Sequence, residues 1–70
     1  MNKKKEYWYY YDEGRLLAYE VLRRESESVL IKLIHPTNKE TPFMYALRLL
    51  EQYCEPIEEE DLPLLILGSL

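Results

Sequence analysis

Residues 7–22 read Tyr-Trp-Tyr-Tyr-Tyr-Asp-Glu-Gly-Arg-Leu-Leu-Ala-Tyr-Glu-Val-Leu, and the fold turns on how this stretch divides. Five consecutive aromatic rings favour a strand, and a turn signal follows them at once. Asp12-Glu13-Gly14 fits a three-residue hairpin loop, a type I turn closed by glycine in the left-handed region. Residues 6–11 and 15–22 are therefore expected to pair in antiparallel fashion. Side chains alternate along a strand, so Tyr7, Tyr9 and Tyr11 share one face and Trp8 and Tyr10 the other.

Working outward, the polar stretch Arg24-Glu25-Ser26-Glu27 precedes Ser28-Val29-Leu30-Ile31-Lys32-Leu33-Ile34, a third strand-like run rich in β-branched residues. Period two makes Leu17, Tyr19 and Val21 one apolar row and Val29, Ile31 and Leu33 another, and these two rows are expected to line the core. The opposite face then carries Leu16, Ala18, Glu20 and Leu22 with Leu30, Lys32 and Ile34. That face is too apolar for an ordinary solvated one, and Glu20 and Lys32 are placed to pair across it.

The stretch 35–40 reads as a loop, with Pro36 and Asn38 as breakers. Thr41 before Pro42 resembles a helix start, a capping hydroxyl ahead of proline in the first turn. Phe43, Ala46, Leu47, Leu50 and Cys54 recur at helical spacing, so a helix over 42–54 is expected, ended by Pro56. In the last segment, 58–70, Asp61 as cap, Pro63 in the first turn and Gly68 at the end suit a short helix, with an extended tail as the alternative. The aliphatic block Leu64-Leu65-Ile66-Leu67 reads by default as core. The fold expected is thus α+β: a three-stranded antiparallel β-meander over 6–34 packed against one α-helix, with a short C-terminal helix or strand. All 70 residues form a single small domain, and residues 1–5 read as a disordered basic end.

A domain of this size buries only about 60% of its unfolded surface. Core stability near ~3–5 kcal/mol then calls for a staple. Cys54 and His35 are the only cysteine and histidine, so neither an internal disulfide nor a Cys/His zinc site is expected, and no cofactor is expected. Self-association or a partner is the staple that is left.

Charge is uneven. Residues 1–35 carry a net +1 and residues 36–70 a net −5, with five acids between Glu55 and Asp61. An acidic half disfavours a nucleic-acid backbone and favours a basic protein surface. No secretory leader pattern follows Lys3, Lys4 and Lys5, no apolar run approaches the ~20 residues of a membrane span, and the lone thiol fits a reducing compartment. The expected setting is cytoplasmic, away from the membrane.

No catalytic constellation is legible. A Cys–His pair would need His35 beside Cys54 and a third group to orient it. Gly14 and Gly68 are the only glycines, so no phosphate loop exists. The reading is a small acidic non-catalytic protein-interaction module: an inhibitor, adaptor or accessory subunit. Trp8, Tyr10, Leu16, Leu22, Leu30 and Ile34 are expected to supply hydrophobic contact. Glu58, Glu59, Glu60 and Asp61 are expected to steer a basic partner. The alternatives are a homodimer, joined through that face or through the edge at residues 6–11, and a single-stranded nucleic-acid binder stacking bases on the aromatic strand. The basic residues available to the latter are few, and nucleic acid is the least favoured partner.

Overall fold

A computed structural model describes residues 5–69. The expected disordered basic end lies outside the described residues except for Lys5, and so does Leu70 at the close of the C-terminal segment. The hairpin forms as read: β1 (Glu6–Asp12) pairs antiparallel with β2 (Arg15–Arg24), with Trp8 opposite Tyr19 and Tyr10 opposite Leu17. Its loop is tighter than expected. Asp12 pairs directly with Arg15, so only Glu13 and Gly14 turn the chain, at φ 52° and 82°. Two central residues at positive φ define a type I′ turn, whose twist matches that of the flanking strands.

β3 (Ser28–His35) pairs antiparallel with β2. The ladder shifts register twice, between Ala18 and Tyr19 and between Val21 and Arg23. Leu22 on β2 and Ile34 on β3 are the extra residues of these bulges, and beyond each of them period two no longer holds. Arg24 pairs with Val29 and so shares a face with it, which strict alternation would have denied.

The expected helix over 42–54 is divided. Phe43–Ala46 is a strand, β4, pairing antiparallel with β3, and only Leu47–Tyr53 is helical, α1. Phe-Met-Tyr is as suited to a strand as to a helical stripe, and β3 offers it an open edge. Thr41 and Pro42 therefore precede a strand, and the residue at the helix cap is Ala46, which makes no side-chain capping bond. After α1 the chain runs through β5 (Glu55–Ile57), antiparallel to β1, then a 3-10 turn over Glu59–Asp61 and a second helix, α2 (Leu62–Gly68). The helical alternative for the C-terminal segment is the observed one.

The architecture is α+β, but wider than a three-stranded meander: the described residues form a five-stranded antiparallel sheet in the order β4-β3-β2-β1-β5, with two α-helices. Each sheet face has its own core. On one face Leu50 of α1 and Cys54 pack on Trp8, Val29 and Ile31, with Tyr10, Tyr19, Val21, Tyr45 and Leu47 around them. On the other, Leu62 of α2 packs on Tyr7 and Ala18, with Tyr9, Ile34, Ile57 and Ile66. The face expected to lie open therefore buries Leu16 and Ala18. Among the described residues no helix is long and apolar enough to cross a membrane.

Candidate interaction surfaces

The β1 aromatics are held by different means on the two faces. Trp8 is only 8% exposed. Its indole Nε1–H donates to Glu6 Oε2 at 2.8 Å, two residues back on the same face. Arg24, brought to that face by the bulge at Leu22, donates from Nε to Glu6 Oε1 at 3.0 Å and from its guanidinium to Oε2. A buried indole N–H needs an acceptor, and Glu6 supplies it at the sheet rim. The Arg24 bonds hold the Glu6 carboxyl below its ordinary value, against partial desolvation, and the Trp8 N–H adds to the lowering.

Beside Trp8 runs a ladder of rings. Tyr10 stacks on Tyr19 at 6.3 Å between centroids, Tyr19 meets Phe43 edge-on at 6.2 Å, and Phe43 meets Tyr45 edge-on at 6.2 Å. Burial, with the Tyr10 phenol next to it, pushes the Tyr19 hydroxyl up to about 12. Tyr45 and Cys54 are raised too, chiefly by burial. An open cleft of about 570 Å³ includes two rings of this ladder, Tyr10 and Tyr45, in a lining completed by Tyr9, Tyr11, Tyr53, Cys54 and Glu55.

The expected contact face does not exist as one surface. Trp8 and Tyr10 lie on the α1 side, whereas Leu16 lies on the α2 side, because Leu16 pairs with Tyr11 and Trp8 with Tyr19. Trp8 and Leu16 are buried, and Tyr10, Leu30 and Ile34 are half-buried. Leu22 alone of the six is exposed. Residues 6–11 are not a free edge either, since Tyr7, Trp8 and Tyr9 pair with β5 on the side away from β2. Glu58, Glu59, Glu60 and Asp61 are all exposed, as expected, directly ahead of α2. Glu20 and Lys32 are cross-strand neighbours.

Other residues form the accessible apolar surface. Among the described residues Tyr11, Leu22, Phe43, Met44, Tyr53, Leu64 and Leu67 are the large hydrophobic side chains that stay exposed. Leu64 and Leu67 stand out at 69% and 65%, so half of the aliphatic block read as core is on the surface. The signal for this was present in the sequence. A helix with Leu62 and Ile66 on one side has Leu64 and Leu67 on the other.

His35 pairs with Ala18, a residue of the α2-side core, whereas Cys54 is in the core under α1. Among the described residues no three His, Cys, Asp or Glu side chains gather as metal ligands would. No family model, curated protein or solved structure matches this chain.

Proposed function

We propose that this chain is a small non-catalytic protein-interaction module of the cytosol, and that its contact element is the C-terminal segment. The observation that carries the reading is the outward pair Leu64 and Leu67 on a helix whose opposite side is anchored by buried Leu62. Two leucines three residues apart are the spacing by which a helix enters an apolar groove. Water-exposed leucine of this degree in so small a domain suits a surface that is covered when the protein works. Glu58, Glu59, Glu60 and Asp61 precede the pair, so the groove that fits would carry basic residues at its rim. Those acids would speed encounter more than they would tighten the complex. Trp8 drops out of the contact surface, since its burial and its bond to Glu6 give it a structural task.

The test is capture from native lysate on immobilised chain, run in parallel with the double variant Leu64→Ser, Leu67→Ser. Both proteins are first shown to share the same Trp8 emission and circular dichroism. Proteins held by the parent, lost by the double variant and released by moderate salt are the expected result. A captured set identical for the two chains would refute the assignment.

A further inference from the structure

The two edges of the sheet are built differently. At one, β5 reads Glu55-Pro56-Ile57, and a charge and a proline without an N–H blunt it against a further strand. At the other, β4 reads Phe43-Met44-Tyr45-Ala46, with no charge and no proline within it. Phe43 and Met44 are both exposed on this edge, on opposite faces. The Leu47 N–H donates to Glu27 O at 3.0 Å, continuing the β3–β4 register by one step. Antiparallel ladders alternate, so Phe43 and Tyr45 direct their backbone groups at β3, and Met44 and Ala46 direct theirs outward.

We propose that the β4 edge pairs with the β4 edge of a second copy of this chain, antiparallel about a two-fold axis at Met44, joining two sheets into one of ten strands. This surface is separate from the α2 surface and does not depend on it. The two-fold must stand perpendicular to the sheet, which keeps each face on its own side, so residues directly opposite must come from the same face. A register centred on Met44 satisfies this. It sets Phe43 opposite Tyr45 of the second copy on the α1 side, extending the ring ladder across the axis, and Met44 against its own copy on the other side. The outward Met44 groups then exchange two hydrogen bonds, and each Ala46 N–H meets the carbonyl of the opposing Pro42. Pro42 has no N–H to return to the opposing Ala46 carbonyl, so the register supplies four hydrogen bonds between the copies, two at Met44 and one from each Ala46.

Charge selects this edge as well. The acidic stretch 55–61 begins in β5, at the far end of the strand order, so the like charges of two copies lie away from the β4 junction. Next to β4 in the chain are Lys39 and Glu40 before it and Arg48 after it, and Glu27 and Glu51 line the cleft at its Ala46–Arg48 end, a mixed set of charges with a net of −1. Five residues a side, 42–46, make a small contact, so a weak and reversible dimer is expected, with dissociation on the order of 10–100 µM.

Position 44 faces itself in this arrangement, and that makes the test specific. Sedimentation equilibrium is run on the parent, on Met44→Lys, on Met44→Glu, and on the two variants mixed one to one. The parent is expected to dimerise, each variant alone to associate at least tenfold more weakly, and the mixture to recover association through its opposite charges. In the parent, amide exchange at Met44 and Ala46 is expected to slow as concentration rises, a readout that needs no variant to fold. A parent that stays monomeric at about 1 mM overturns the proposal. So does a dimer untouched by Met44→Lys, or a mixture no tighter than its components. Dissociation by Leu64→Ser, Leu67→Ser with Met44→Lys silent would locate self-association on α2 and also overturn it.

Discussion

Replacing Leu50 by alanine is expected to remove about half of the stability of this fold, while the same change at Leu64 leaves it nearly unaltered. Leu50 is fully buried and is the only buried residue of α1. That helix has seven residues, no side-chain cap, no acid in its first turn and no base in its last. Isolated helices shorter than about 12 residues are marginal in water, so α1 persists because Leu50 is seated on Trp8, Val29 and Ile31. A buried Leu→Ala change costs about 2–5 kcal/mol. A 70-residue domain at roughly 0.05–0.15 kcal/mol per residue has only about 4–10 kcal/mol to lose. At Leu64 the side chain is mostly in water, and the expected change is within about 0.5 kcal/mol. Urea unfolding followed by the emission of Trp8, the only tryptophan and a neighbour of Leu50 in the same core, reads both variants. A Leu50→Ala midpoint equal to the parent's would refute the account of α1. A Leu64→Ala loss as large as that of Leu50→Ala would show that the outer side of α2 is packed, and would remove the basis for the contact element.

Glu13 holds the first position of the type I′ turn at φ 52°, where asparagine is far more at ease. Glu13→Asn is expected to raise stability by up to about 1 kcal/mol, and a lower melting temperature would contradict the turn assignment. Glu6 titrates below its unfolded value because of Arg24, so its contribution is present above about pH 4.5 and is lost as pH falls through the lower folded value. Glu6→Gln should therefore lower the melting temperature at pH 7 and make it less sensitive to acid. At the other end Tyr19 titrates near 12 against an ordinary 10, so its contribution is complete below pH 10 and drains away as pH rises towards 12. After allowance for solvent screening this is at most about 2 kcal/mol. Tyr19→Phe should flatten the alkaline limb of the melting profile, and an unchanged limb would clear Tyr19 of that role.

Local signals carried the first half of the chain and failed where two signals competed. The hairpin was legible because aromatic strands and a Gly-containing turn agree with each other. Even so, the loop was read one residue too long, since Glu at positive φ is uncommon enough to hide a type I′ turn. The stripe Phe43, Ala46, Leu47, Leu50, Cys54 fits helical spacing, yet its first two members serve a strand. The deciding fact was an open β3 edge, which lies outside the window of local periodicity. The same is true of β5, three residues whose only reason to be extended is the free side of β1. The candidate surface was misread for a related cause. The misplacement follows from the loop: a three-residue loop sets Tyr10 opposite Leu16 and so puts Trp8 and Leu16 on one face, whereas the two-residue turn sets Tyr11 opposite Leu16 and moves the two to opposite faces. The two bulges then took Leu22 and Ile34 out of the alternation, which no single-strand pattern announces.

The amount of apolar surface left in water follows from lengths. Each helix has seven residues and so spans about 10 Å. β2 has ten residues and spans about 33 Å. A pair of such helices, one to a face, shields only the part of the sheet beneath it. Leu50 accordingly covers Val29 and Ile31, and Leu62 covers Tyr7 and Ala18, while the residues beyond those footprints stay wet: Tyr11 at the hairpin end, Leu22 at the bulge, Phe43 and Met44 on the β4 edge. Lengthening α1 by a turn would hide some of these side chains, but the chain turns instead into β5 at Cys54 and Glu55, and Pro56 there has no N–H with which to continue a helix. The same sequence choice that closes the acidic edge with β5 thus leaves the β4 edge bare, so the sheet has one side made to repel a further strand and one side fit to receive it.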